Sequence, residues 1–79
     1  MGRPIYRVII DFGFRKKRSA RHFVSNNIDT FVNTKDEEVI KKDNDLRLKI
    51  ARKVKRKLED IEIKFTNIYI EGQYGETNH

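Results

Sequence analysis

The feature that most constrains this chain is an apolar pattern with helical spacing across residues 34–61. At 100° per residue the apolar side chains fall within an arc of roughly 140°, as in a helix that buries one side. They are Val39, Ile40, Leu46, Ile50, Ala51, Val54, Leu58 and Ile61. Leu48 lies outside this arc and should be exposed. The pattern predicts one continuous helix, with a kink allowed at the polar triplet 43–45.

The start of this helix has a recognisable signal. Thr34 is the expected N-cap, because Glu37 stands three residues later and completes a capping box. Acidic residues occupy positions 36–38, where the helix dipole favours negative charge. The helix should therefore begin directly after Thr34.

Residues 5–14 alternate with the period of a β-strand. Apolar side chains stand on both of its faces, which favours a central position in a sheet. Residues 15–19 (RKKRS) should form the tip of a hairpin, and residues 61–71 a last strand with an irregularity near Asn67. The polar tail 72–79 should be mobile.

Residues 20–33 should form the second strand. Asn26-Asn27 interrupts them, and asparagine readily adopts turn or left-handed conformations. The segment is therefore either one long, kinked strand or two short ones, and the first is favoured.

The predicted fold class is α+β, a single domain over residues 1–79 with its core at about 4–71. A right-handed crossover in the order ββαβ gives an antiparallel sheet of order 2-1-3, with one long helix on one face. The hairpin tip and the C-terminal end of the helix should then meet. They would separate if the chain turned back at Asn26-Asn27.

The net charge of +6 is concentrated in two blocks. Residues 1–25 hold seven Lys and Arg against Asp11 alone, and residues 45–58 hold seven against Asp45 alone. Such a balance favours a polyanionic partner, although a charged run can also be only a solvated helix face. The candidate nucleic-acid or polyanion contacts are Arg15, Lys16, Lys17, Arg18, Arg21, Lys49, Arg52, Lys53, Lys55 and Arg56.

One helix covers only one face of the predicted sheet, so the other face is a candidate protein interface or homodimer contact. Ile5 and Ile9 should lie on that face, together with two residues of the last strand that depend on the strand register. The favoured residues are Ile5, Ile9, Ile68 and Ile70, and the alternative register brings Phe65 and Tyr69. Tyr6, Phe23, Phe65 and Tyr69 could stack on bases, but core packing is favoured for aromatic residues in strands.

Several classes of chemistry have no support in the sequence. There is no cysteine, and the only histidines are His22 and His79, so neither a disulfide nor a metal site is expected. No nucleophile motif, phosphate-binding glycine loop or cofactor motif is present. No apolar run approaches the roughly 18–20 residues of a membrane span and no signal-peptide cleavage pattern occurs, which predicts a cytoplasmic protein.

The leading hypothesis is a non-enzymatic protein that contacts the nucleic-acid phosphate backbone through the hairpin tip and the basic helix face. The alternative is a protein-interaction modulator that uses the same cations against an acidic surface, or uses the open sheet face. A chain rich in Lys, Asn, Ile and Asp suits a phage or mobile-element product that inhibits a host factor.

Overall fold

The computed structural model describes residues 2–77, and the side chains of residues 2–75. It has three strands and two α-helices in the order ββααβ. They are β1 (Arg3–Lys16), β2 (Val24–Val32), α1 (Glu37–Lys42), α2 (Asn44–Val54) and β3 (Ile61–Thr77), with a 3-10 turn at Leu58–Asp60 before β3. The described part measures 46 × 21 × 19 Å.

The sheet is antiparallel with strand order β2-β1-β3, so the predicted fold class and sheet order are confirmed. β1 is the central strand, as the apolar residues on both of its faces indicated. β1 and β2 pair without a register shift from Tyr6–Val32 to Phe14–Val24. Asn26 and Asn27 pair within this regular ladder, so the predicted kink is absent and β2 is shorter than residues 20–33.

The predicted continuous helix is divided into α1 and α2 at the polar triplet. Asp43 ends α1 by donating its backbone N–H to the carbonyl of Ile40. Its carboxylate then caps α2, accepting from the backbone N–H groups of Asp45 at 2.9 Å and Leu46 at 3.3 Å. An aspartate with both roles favours two helices over one, because the cap needs an extended backbone at Asp43.

Both ends of the helical segment differ from the prediction. Asp36, not Thr34, is the N-cap of α1, and its carboxylate accepts from the N–H of Glu38 at 3.0 Å. The Thr34 hydroxyl instead accepts from the N–H of Asp36 in the turn before the helix. α2 ends at Val54 because Lys55 adopts the left-handed conformation (φ 58°) and closes a Schellman-type end. Residues 55–60 are therefore not part of the helix.

β3 extends to Thr77 and includes most of the segment predicted as a mobile tail; residues 78–79 lie outside the described part. It stays paired to β1 by accommodating three extra residues, at Thr66, Glu71 and Tyr74. The first bulge confirms the predicted irregularity and lies one residue before Asn67. Each bulge reverses the alternation, which is why an apolar pattern alone could not locate the end of β3.

The core lies between the helices and one face of the sheet. β1 contributes Val8, Ile10 and Phe12, each at most 1% exposed. The helices contribute Ile40, Leu46, Ile50 and Ala51, and β2 contributes Ile28 and Val32. Leu48 is exposed as predicted, whereas Val39 was placed in the apolar arc and is 51% exposed. With the helix broken, α1 is a separate short element and only its Ile40 reaches the core.

Candidate nucleic-acid interface

The hairpin tip and the end of α2 lie at the same end of the molecule. β1 runs up to the tip, and its last residue, Lys16, pairs with Ile61 at the start of β3. The backbone N–H of Lys17 donates to the carbonyl of Asp60 at 2.9 Å. Since residues 55–60 connect α2 to β3, this hydrogen bond brings the tip beside the end of the helix.

A cleft of about 860 Å³ lies at this junction, and we call it the basic cleft. Its walls come from the tip, from α2 and from the start of β3. Five cations line it, namely Lys17, Arg47, Arg52, Arg56 and Lys57. The apolar lining consists of Leu48, Ala51, Leu58, Ile61 and Ile63, and the acidic residues are Glu59 and Glu62.

The cations of the basic cleft have no acidic partner within the described part of the chain. In residues 2–75 the ion pairs involve Arg7, Arg15 and Lys41. None of these three lines the cleft. The cleft therefore keeps an excess of positive charge, five cations against Glu59 and Glu62, and an anionic ligand would meet that excess.

The structure divides nine of the ten predicted cations among three places. Lys17, Arg52 and Arg56 line the basic cleft. Lys49 and Lys53 reach the other way, toward β2: the Lys49 ammonium donates to the Thr30 hydroxyl at 3.3 Å, and that of Lys53 donates to the Asn27 carbonyl. These two lysines cover an edge strand, a role that also hinders aggregation. The remaining exposed cations lie around the tip and the helix end, namely Lys16, Arg18, Arg21 and Lys55.

Arg15 lies on the opposite face of the sheet from the helices. Its guanidinium lies 4.1 Å from the ring centroid of Phe23. It donates hydrogen bonds to the Glu62 carboxylate at 3.3 Å and to the Arg21 carbonyl at 3.1 Å. Phe23 in turn lies directly over Gly13, where an added Cβ would be 2.9 Å from the Cβ of Phe23. These contacts fold the loop after the tip back onto the sheet.

Two cleft residues were not among the predicted contacts, namely Arg47 and Lys57. Arg47 lies five residues before Arg52, about 140° away around α2, and Arg56 lies beyond the end of that helix, so helical spacing did not group the three. Arg47 is held in position: its side chain donates to the Lys41 carbonyl at 2.8 Å and lies 5.5 Å from the ring of Phe65. Lys57 follows the end of the helix, and no periodic signal predicted its position.

The open sheet face, the one without helices, has neither predicted pair complete: Tyr69 lies on it, but Phe65 packs against the core. Tyr69 pairs with Ile9 there and is 53% exposed. Ile68 and Ile70 instead pack against the core, so their assignment to the open face is wrong. Thr66 explains this, because the bulge resets the alternation of β3 and turns these isoleucines toward the helices.

The end of the open face away from the tip carries an aromatic pair. The rings of Phe31 and Tyr74 lie 4.9 Å apart, and the side chains are 45% and 71% exposed. Of the four aromatic residues considered for base stacking, only Tyr69 is exposed. Tyr6 and Phe65 pack against the core, and Phe23 is half-buried beside Arg15.

Arg7 joins all three strands on the open face. Its guanidinium donates to both carboxylate oxygens of Asp29, at 3.0 and 2.5 Å, and lies 3.3 Å from Glu71. The hydrogen bond and charge of Arg7 hold the pKa of Asp29 below its ordinary value. The hydrogen bond that Arg7 donates to Asp29, with the negative charges of Asp29 and Glu71, raises the pKa of Arg7. This part of the face has no excess of positive charge, unlike the basic cleft.

Within the described residues no cluster of three or more His, Asp or Glu side chains could hold a metal ion. None of the described helices is long and apolar enough to cross a membrane. No protein-family model, curated protein or solved structure matches this chain.

Proposed function

We propose that this protein is a non-enzymatic binding module for nucleic acid, which it contacts through the basic cleft and the neighbouring hairpin tip. The observation that carries the proposal is the convergence of two distant basic blocks on one cleft, whose five cations have no acidic partner in residues 2–75. Lysine and arginine side chains in such an arrangement bind phosphates and release counterions.

The contacts proposed for phosphate oxygens are those of Lys17, Arg52 and Arg56 in the cleft, with Lys16 and Arg18 at the tip. Phosphate contacts fix the position of a nucleic acid but carry little sequence information. The protein should therefore bind many sequences with similar affinity. We expect a smaller contribution to binding from Lys49, Lys53 and Arg15, because their side chains already make intramolecular contacts.

A salt titration tests this proposal. The dissociation constant of a fluorescently labelled oligonucleotide is measured by anisotropy between about 50 mM and 500 mM monovalent salt. Binding should weaken steeply as salt rises, with a log–log slope of several units. Absence of binding at the lowest salt, or binding that persists unchanged at the highest, contradicts the proposal.

A second candidate function is supported by the aromatic pair on the open face. Phe31, Tyr74 and Tyr69 expose rings next to Ile5 and Ile9, on the side of the sheet without helices. Exposed aromatic residues are enriched in protein interfaces. The protein would then bind another protein through this face, for example as an inhibitor of a host factor, or would form a homodimer through it. An affinity capture after nuclease treatment that returns one stoichiometric protein, lost on Phe31→Ser, supports this function.

A further inference from the structure

The lining of the basic cleft contains more than phosphate contacts require. Its floor is apolar: Ala51 and Ile61 lie buried beneath it, and Leu48, 37% exposed, presents apolar surface to solvent. Leu58 and Ile63 continue this lining and are half-buried. A phosphate gains nothing from such a surface, whereas a planar, weakly polar ring would cover it and remove it from water.

The position of the cations completes this arrangement. Lys17 stands on the tip side of the cleft, and Arg52 and Arg56 stand on the helix side. The apolar floor therefore has cations on both of its sides. A ligand with a ring at its centre and a negative charge at its margin would satisfy both parts.

Glu59 distinguishes between two kinds of anionic ligand. It is exposed, it lines the cleft, and it forms no ion pair within residues 2–75. Its carboxylate can accept hydrogen bonds from the amino groups of bases, as acidic side chains do from cytosine N4. An acidic peptide offers few such donors in its side chains, so nothing would offset its repulsion from Glu59, whereas base amino groups can offset the repulsion of phosphates.

We propose that the basic cleft binds single-stranded nucleic acid, with bases against the apolar floor and phosphates on the surrounding cations. This inference rests on the proposed function and names its substrate class. The cleft is an open groove of about 860 Å³ and not an enclosed cavity. It suits one or a few nucleotides whose bases are free. A duplex keeps its bases stacked inside and presents phosphates and sugars to a surface of this shape.

The test compares a labelled 12-nucleotide single strand of mixed sequence with its 12-base-pair duplex at one low salt concentration. Wild-type protein should bind the single strand about tenfold more tightly, since contacts to exposed bases are lost in the duplex. Leu48→Ser should weaken single-strand binding about three- to tenfold, because it removes exposed apolar lining. The duplex should lose less affinity than the single strand, because its bases are not free to contact Leu48. Val39→Ser is the matched control, an exposed apolar residue of α1 outside the cleft, and it should leave both affinities unchanged.

The outcomes separate this inference from the proposed function. If neither ligand binds, the proposed function is wrong. If the duplex binds as well as the single strand, or if Leu48→Ser behaves like Val39→Ser, nucleic-acid binding stands and the single-strand inference is overturned. Displacement of the single strand by a low concentration of a Leu-containing acidic peptide also overturns it, and it would identify a protein ligand instead.

Discussion

The backbone N–H of Lys17 donates to the carbonyl oxygen of Asp60 at 2.9 Å. This hydrogen bond joins the β1–β2 hairpin tip to the residue that precedes β3. It involves main-chain atoms alone, so the Lys17 side chain remains available to line the basic cleft. The strand order thus brings Lys17 beside Asp60, 43 residues later in the chain, and two separate basic segments form one surface.

Gly13→Ala should destabilise the fold by about 1–3 kcal/mol. The added Cβ would stand 2.9 Å from the Cβ of Phe23, and neither atom can move without its backbone. Urea denaturation followed by far-UV circular dichroism measures the change in the free energy of unfolding.

The Phe23→Ala background is not a full control for that substitution, because alanine keeps a Cβ. Phe23→Gly removes the clashing atom, and there the added cost of Gly13→Ala should fall well below its cost in wild-type protein. If Gly13→Ala lowers the free energy of unfolding equally in both backgrounds, the contact with Phe23 is not the reason that position 13 excludes a Cβ.

Asp43→Ala should cost about 0.5–2 kcal/mol, because it removes the carboxylate that caps α2. Asp43→Asn keeps a side-chain oxygen that can accept from the N–H groups of Asp45 and Leu46, so most of the stability should remain. Thermal unfolding of both variants checks the difference. If they lose stability equally, the cap does not stabilise the break between α1 and α2.

The ion pair of Arg7 and Asp29 should make the free energy of unfolding depend on pH in the acidic range. The pKa of Asp29 is lowered in the folded protein, so the pair stabilises fully above the ordinary aspartate pKa of about 3.9. This contribution is lost as the pH falls through the lowered pKa. Asp29→Asn should therefore have a lower urea midpoint than wild type at pH 7, and the gap should close in strong acid. A gap that stays constant would show that the pair does not titrate with folding.

The fold was largely predictable because its main signals are periodic. The alternation of residues 5–14 identified β1, and the handedness of the crossover placed it between β2 and β3. The division of the helix was less accessible. The apolar phase continues across the break, so only the double capping role of Asp43 reveals it, and that is a local competition between side-chain and backbone hydrogen bonds.

The candidate site was predictable only in outline. The topology brought the tip to the helix end, as expected, but individual side chains then found different partners. The edge of β2 left the carbonyl of Asn27 within reach of Lys53, and Phe23 offered its ring to Arg15. Such contacts depend on side-chain rotamers and on which face of the sheet each residue lies. A pattern of charges along the sequence contains neither.

The most direct test of the central claim is the salt dependence of oligonucleotide binding by Arg52→Gln/Arg56→Gln protein. Its matched control is Lys35→Gln/Lys42→Gln, which removes the same formal charge outside the basic cleft. The cleft variant should bind more weakly than the control, with a log–log slope shallower than that of wild type by about one to two units. Equal losses of affinity and slope in the two variants would contradict a localised site and show that only net charge matters.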